Sequence, residues 1–345
     1  MYEEVISKIL ESIDEKSILT EAYPKFSGEG YRAHKIDAKN FHGLNPSMNN
    51  KKIAFIDGGN AEIIGSGSFS LSLIRVCYAI YQNNKKILTK KLEFFCFTHA
   101  VNKNNEIYYA ASFFNINGSM DLGEISFTSF DPTLMHGMNR AAINNVPSAI
   151  RRFAELKLAK LASSNKLADI IVLDGSLQGT LTNENKYLNE LYDSCTENNV
   201  ILTALSKTTS LFTDNGNLLS AVLGSIAKLP IWFYYPVAEI SNHNHKAEMF
   251  FVKFHSKSRH VFRLEIFNIQ RLNAEESINE LASNCIDPVF IGYPYGLVEA
   301  DRVARVSNQE REMIKTMILV KLRNKNVEKY LNASNAHEIL DKISF

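Results

Sequence analysis

Cysteine is scarce in this sequence, and its few copies are scattered. Cys77, Cys96, Cys195 and Cys285 stand far apart, with no C-x-x-C pair among them. That spacing suggests neither a zinc site nor a disulfide framework, and it fits a reduced, cytoplasmic setting in which each thiol packs as a small hydrophobe. A dominant charge is missing too. The net charge is only +1 over 345 residues, so no global basic field would attract nucleic acid, and such a partner would need a local patch. No apolar run is long enough to span a bilayer: the longest, Phe69 to Tyr81, is too short and carries Arg75. Residues Met1 to Ile18 are acidic and amphipathic, without the basic start or apolar run of a signal peptide. Internal repeats and interdomain linkers are also lacking, and composition is biased only mildly, toward Asn.

What is present suits a globular protein with a sizeable core: 45% of residues are hydrophobic and 22% charged. Val5, Ile6, Ile9, Leu10 and Ile13 recur at helical spacing, so the chain is expected to open with a helix. A polar stretch from about Lys25 to Asn50 reads as a loop or an arm. Phe69–Gln82, Lys86–Thr98 and Glu106–Ile116 are rich in Ile, Val, Phe and Tyr, with Asn83-Asn84 and Asn102 to Asn105 between them. They read as an antiparallel meander. Pro147 and Ser148 announce a helix to about Ala162. Beyond it come a strand at 169–174, a helix at 184–197, a strand at 200–205 and a helix from Ser210 to Ala227. Met249–Phe254 and Val261–Phe267 look like an antiparallel pair, and Ala274–Ser283 and Ser307–Arg323 are helical by pattern. One mixed α/β domain with insertions accounts for this order.

Two apolar runs carry the chemistry. Ile53-Ala54-Phe55-Ile56 leads to Asp57-Gly58-Gly59, and Ile170-Ile171-Val172-Leu173 leads to Asp174-Gly175-Ser176. Each reads as a buried strand that stops at a carboxylate, with Gly admitting a ligand or another backbone. Two carboxylates about 4 Å apart repel by roughly 4 kcal/mol at an effective dielectric near 20. A divalent cation relieves that repulsion, and all-oxygen ligation favours Mg²⁺ or Mn²⁺ over zinc. Asp-Gly is also a common turn dipeptide, so the alternative is two unrelated turns.

Other candidates have equally plain alternatives. Glu155 flanks the apolar stripe of its helix, where it could point along the sheet end or pair with Arg151 and Arg152. Lys207 follows the strand at 200–205 and could meet a phosphate, or be a solvated loop lysine. His243 and His245 sit in a polar run that reads as an exposed loop tip rather than a metal site. The run Gly292-Tyr293-Pro294-Tyr295-Gly296, leading to Asp301-Arg302, could stack bases on its rings and meet phosphates through Arg302 and Arg305, or could be a helix-entry turn whose aromatics fill the core.

Taken in order, these segments resemble the NurA family of DNA-end-processing nucleases. The resemblance rests on Ile56-Asp57-Gly58, then Arg152-Phe153-Ala154-Glu155, then Val172-Leu173-Asp174-Gly175-Ser176-Leu177, then Ser206-Lys207-Thr208, Phe254 through Arg263-Leu264-Glu265, and Gly292 to Leu297 with Ala300-Asp301. It implies an RNase H-like, Piwi-like mixed sheet flanked by helices, with β-rich and helical insertions. It implies residues 1–50 as an N-terminal helix and arm, 51–325 as the nuclease domain, and 326–345 as a C-terminal helical tail. Asp57, Glu155 and Asp174 would form the acidic site for Mn²⁺ or Mg²⁺, as a pair of ions, with Asp301 a further catalytic position. Lys207, Tyr235, Arg263, Tyr293, Tyr295 and Arg302 would contact DNA, with Tyr234 an alternative to Tyr235.

The implied activity is 5′-to-3′ exonuclease with single-strand endonuclease action, resecting DNA ends in a homodimer that works with a HerA-type hexameric ATPase. Two positions depart from the family pattern. Gly59 stands where Ser is usual, and Asp301 where His is usual, and a carboxylate cannot act as a cationic acid. Two other readings stay open. One is an actin/Hsp70-like ATPase or kinase using Asp57-Gly58-Gly59 as a phosphate loop. The other is a non-catalytic adaptor of a DNA-pumping ATPase.

Overall fold

The computed structural model describes residues 2–12 and 22–323. Ile13 of the opening helix and the 326–345 tail lie outside the described residues. In chain order the elements are α1 (Tyr2–Ser12), β1 (Pro24–Lys25), β2 (Tyr31–Ala33), β3 (Phe41–Gly43), β4 (Lys52–Gly65), β5 (Phe69–Gln82), β6 (Lys85–Lys103), β7 (Glu106–Asn117) and β8 (Ile125–Thr128). They continue with α2 (Val146–Ser164), β9 (Ile170–Asp174), α3 (Glu184–Asn198), β10 (Ile201–Ser206), β11 (Phe212–Thr213), α4 (Leu219–Ile226), β12 (Trp232–Tyr234) and β13 (Ala238–Ile240). The last are β14 (Ala247–Lys253), β15 (Phe262–Phe267), α5 (Ala274–Ser283), α6 (Tyr295–Ala304) and α7 (Asn308–Leu322). Among the described residues, no helix is long and apolar enough to cross a membrane.

The chain folds into two compact units, each assembled from separate segments. One comprises residues 52–171, 179–200 and 296–345. Its sheet runs from the start of β9 through β4, β5, β6 and β7 to β8. β4 to β8 form the expected antiparallel meander. Its turns are made by Asn83-Asn84 and Asn104-Asn105, all at positive φ, the conformation that two-residue hairpins require and Asn tolerates. β6 alternates buried Leu92, Phe94 and Cys96 with half-buried Lys91, Glu93 and Phe95, the period-2 pattern of a strand with one covered face. Helix α2 buries Ile150, Phe153, Ala154, Leu158 and Ala162, and Phe153 stacks on Tyr187 of α3 at 4.7 Å. Helix α7 closes a satellite core in which Ile314, Ile318 and Leu322 pack on Ile63, Ile64 and Leu73.

The other unit comprises residues 1–51, 172–178 and 201–295. Its sheet has the order β3-β12-β14-β15-β10 and continues to the end of β9. Its core gathers Leu219, Leu223, Trp232, Tyr234, Val237, Met249 and Phe251. All four cysteines are buried.

Three local expectations need correction. β4 does not stop at Asp57: it runs on through Gly58-Gly59 to Gly65, paired with β5 throughout. That continuity removes the phosphate-loop reading, since no loop follows the Asp. The polar arm carries β1, β2 and β3, which pair with β11, β13 and β12. The helix expected from Ser210 begins only at Leu219. Before it, Gly216 takes φ +81° and Thr213 N–H donates to Asn217 O at 2.8 Å, so the Asp-Asn-Gly-Asn turn chemistry overrides the apolar spacing.

Helix α6 lies along β4. A Cβ on Gly296 would fall 1.9 Å from Phe55 Cδ2, and one on Gly59 would fall 2.4 Å from the Ala304 carbonyl oxygen. Gly→Ala in a helix ordinarily stabilises by about 1 kcal/mol. Here the ring of Phe55 is fully buried and has nowhere to move. Gly296→Ala is therefore expected to destabilise the fold by about 1–3 kcal/mol, read as a lower urea midpoint. A midpoint equal to or above wild type would refute the close approach of α6.

Candidate functional site

In the unit that carries β4, two carboxylates border the backbone of Gly58, one from each face of the strand. Asp57 is buried and its Oδ1 accepts the Gly58 N–H at 2.7 Å. Strand alternation puts Phe55, Asp57 and Gly59 on the face that α6 covers, and Gly58 on the face that α2 covers. Glu155 reaches Gly58 from α2: its Oε1 lies 2.6 Å from where a Cβ would stand. A side chain at 58 would expel that carboxylate. Arg151 Nη1 donates to the Gly58 carbonyl at 2.9 Å and also pairs with Glu155 Oε1. Arg152 lies 3.6 Å from Glu155 Oε2 and donates through Nε to Glu184 at 2.8 Å. Both of the pairings weighed for Glu155 in the sequence are thus made.

Cys77, the register partner of Asp57 on β5, senses this charge. Its thiol is pushed up to about 12, first by burial and then by Asp57, Glu155 and Glu299. Glu299, on α6, is a buried acid that the sequence reading did not single out. Hydrogen bonds from Arg302 bring it down to about 2, with Lys86 adding to them against the effect of burial. Arg302 meets it at 2.9 Å and Lys86 at 2.7 Å. Asp301 is turned elsewhere, pairing with Arg305 one turn on at 3.0 Å, with both side chains well exposed.

In the other unit, β9 ends at Asp174 as the sequence predicts. Asp174 holds Lys207 at 2.7 Å, and Ser206 Oγ donates to the Gly175 carbonyl at 2.8 Å. The following turn is anchored by the Leu177 N–H, which donates to Glu265 at 2.7 Å. Glu265 is fully buried. Burial raises its pKa, but Arg263, His245 and that N–H together outweigh burial and leave it at about 2. Arg263 Nη2 stands 2.6 Å from Glu265 and His245 Nε2 3.1 Å.

His245 is therefore no exposed loop tip. Its N–H closes a turn on Asn242 at 3.0 Å, leaving His243 outside and carrying His245 into the interior beside Tyr31. Tyr234 belongs to the core, with its hydroxyl taken by the Asp37 N–H. Tyr235 is half-buried against Phe250 and Glu248. Tyr293 is 1% exposed and packs on Phe290 and Phe262, so it fills the core and has no face left for a base. Tyr295 is half-buried at the start of α6.

Among the described residues, no three His, Cys, Asp or Glu side chains are gathered as a metal site. The carboxylates expected to ligate are instead held by bases: Glu155 by Arg151 and Arg152, Asp174 by Lys207. Asp57 and Glu155 offer only carboxylate oxygen, the donor type that hard dications take.

The model of the NurA domain matches residues 51–306, most of the chain. The chain belongs to the NurA family. Among solved structures it is similar to the NurA nuclease from Sulfolobus solfataricus, at 15% identity and a TM-score of 0.51 over 93% of each chain. That likeness shows the shared fold, a mixed α/β arrangement with a large sheet flanked by helices. The catalytic domain of human endonuclease V scores 0.38 at 9% identity, covering 82% of this chain and 93% of that one. A. aeolicus Argonaute scores 0.33 at 10% identity, covering 76% and 29%. No curated protein sequence matches.

Glu299 makes the site subunit of β4 acid-sensitive. Its folded pKa, about 2, lies below the ordinary glutamate value of about 4.3. Its contribution is therefore complete above about pH 4.3 and is lost as pH falls toward 2. Glu299→Gln should flatten the fall of unfolding free energy across that window in urea titrations. A slope equal to wild type would show that the Arg302 and Lys86 pairings carry no such linkage.

Proposed function

We propose that the chain is a metal-dependent DNA nuclease that hydrolyses phosphodiester bonds. The observation that carries this reading is the approach of Asp57 and Glu155 to one backbone unit, that of Gly58, in a member of the NurA family. Asp57, Glu155 and Asp174 are the residues that would hold Mn²⁺ or Mg²⁺. Such a pair of ions supplies an activated water and stabilises the leaving oxygen.

The remaining residues bind and orient. Lys207 and Arg302 are each within reach of a carboxylate here, and each can exchange that partner for a strand phosphate as DNA arrives, while Arg263 would meet a phosphate with Glu265 still behind it. Tyr295 and Tyr235 are half-buried rings that would take a base. Asp301 takes the place of the usual His but offers no cationic acid, and its pairing with Arg305 makes it an orienting group at most.

The finer reading follows from the family. It is 5′-to-3′ exonuclease and single-strand endonuclease action at DNA ends, in a homodimer partnered by a HerA-type hexameric ATPase.

Cleavage of end-labelled DNA with Mn²⁺ tests this. Asp57→Asn and Asp174→Asn should each lower the rate by about a thousandfold or more, a loss of several kcal/mol of transition-state stabilisation. Their thermal unfolding should stay close to wild type. Full activity in either purified variant would overturn the assignment.

A further inference from the structure

The unit that carries Asp174 contains a cavity of ≈ 490 Å³ whose only lining residue with a role above is Arg263. This volume is in the range of small-ligand sites, which are typically apolar with a few convergent polar groups. Its aromatic wall comes from the N-terminal arm. Phe26 and Tyr31 stack with centroids 4.6 Å apart and planes 5° from parallel, and the β1–β11 pairing sets Lys25 opposite Phe212 at the rim. Its polar wall is His245 and Arg263.

That polar wall is built rather than incidental. Glu265, with no exposure, stands behind both groups. Tyr31 Oη contacts His245 Nδ1 at 2.9 Å. When that ring nitrogen accepts, Nε2 carries the proton and faces Glu265. Arg263 Nε is buried without a hydrogen-bond partner, a donor that a ligand oxygen would satisfy. The same frame holds Asp174. Arg263 is the register partner of Ser206, Lys207 is the next residue and grips Asp174, and Glu265 accepts the Leu177 N–H at the end of the Asp174 turn.

We infer that this cavity is a subsite for one unpaired nucleotide, its base against the Phe26–Tyr31 wall and its phosphate at Arg263 and Lys25. The inference rests on the nuclease reading for the source of that nucleotide, the strand being processed. A base inside a duplex is stacked on both sides and must leave the stack to enter such a pocket. The subsite therefore selects single strands and frayed ends. A free nucleotide shares the chemistry but lacks the flanking phosphates.

The test uses the full chain carrying Phe212→Trp at the half-exposed rim, with the unaltered chain, whose one tryptophan, Trp232, is buried, titrated in parallel as the background. Titrations in EDTA, where no cleavage occurs, follow Trp quenching. The ligands are a single-stranded oligonucleotide, a duplex closed by hairpins at both ends, and dAMP. The single strand should quench and bind best, dAMP should quench more weakly, and the closed duplex should not quench. Adding Phe26→Ala should weaken oligonucleotide binding by about tenfold, the usual worth of a stacked base. Lys25→Gln, at an exposed position that folding does not need, should lower the salt dependence of binding by about one released counterion.

Three results would overturn the subsite. These are no quenching by the single strand, equal quenching by the closed duplex, or wild-type binding and salt dependence in Lys25→Gln. If dAMP binds as tightly as the oligonucleotide, the strand is not the source and the inference fails in that form. Cleavage by the unaltered chain is scored separately. Binding without cleavage would sink the nuclease reading and leave the subsite, and cleavage without quenching would do the reverse.

Discussion

A β-strand that carries no side chain at two successive positions can be approached closely from both faces, and the unit built on β4 depends on that property. Gly58 opens one face to α2 and Gly59 opens the other to α6. Adding a single carbon at either site would push a helix or a buried carboxylate away. The strand itself survives two glycines, each costing it rigidity, because β5 pairs with it along its length. The result is a narrow layer in which Glu155 from one helix and Asp57 from the strand border the same backbone unit. The buried Glu299 of α6 adds a third charge within electrostatic range of Cys77.

Concentrating acids in this way is costly unless cations answer them. Taking a carboxylate out of water costs several kcal/mol after relaxation, and here Glu155, Glu299 and Asp174 each have a cation in reach. Arg151 and Arg152 serve Glu155, Lys86 and Arg302 serve Glu299, and Lys207 serves Asp174. Arg75 does the same for the structure beyond the site, bridging Glu93 and Glu310 while donating to the Arg305 carbonyl at 2.6 Å. Long flexible bases differ from a structural dication in one respect: they can leave. Arg302 remains well exposed and Lys207 partly exposed even while paired, so either can swing into solvent without unfolding anything around it.

Much of this was legible in the sequence because periodicity reports burial directly. The meander was marked by Asn-rich turns, and β9 does end at its Asp. The reading of β4 failed at the point of greatest interest. Asp-Gly-Gly carries the signature of a turn, and only the pairing partner, distant in sequence, keeps it extended. His245 was misplaced for a related reason: the polar letters around it describe the turn at Asn242, and nothing local reveals that Glu265 and Tyr31 wait for the ring. Glu299 went unused because it sat one helix face away from the Asp301 that the family pattern highlights. The arm between Lys25 and Asn50 looked structureless since its strands are two or three residues long and find partners nearly two hundred residues away.

The two departures from the family pattern are physically one feature. Gly59 leaves the Ala304 carbonyl so close that the usual serine could not fit without displacing the end of α6. Asp301 stands one turn before that end and spends its charge on Arg305, the residue just past it. Arg305 in turn gives its carbonyl to Arg75. A helix end drawn in by a missing side chain and fastened from outside by an ion pair and a buried arginine has little need of a histidine in that position. Restoring serine at 59 alone would loosen the fastening, and restoring histidine at 301 alone would remove the Arg305 partner. On this argument the two positions are coupled through α6.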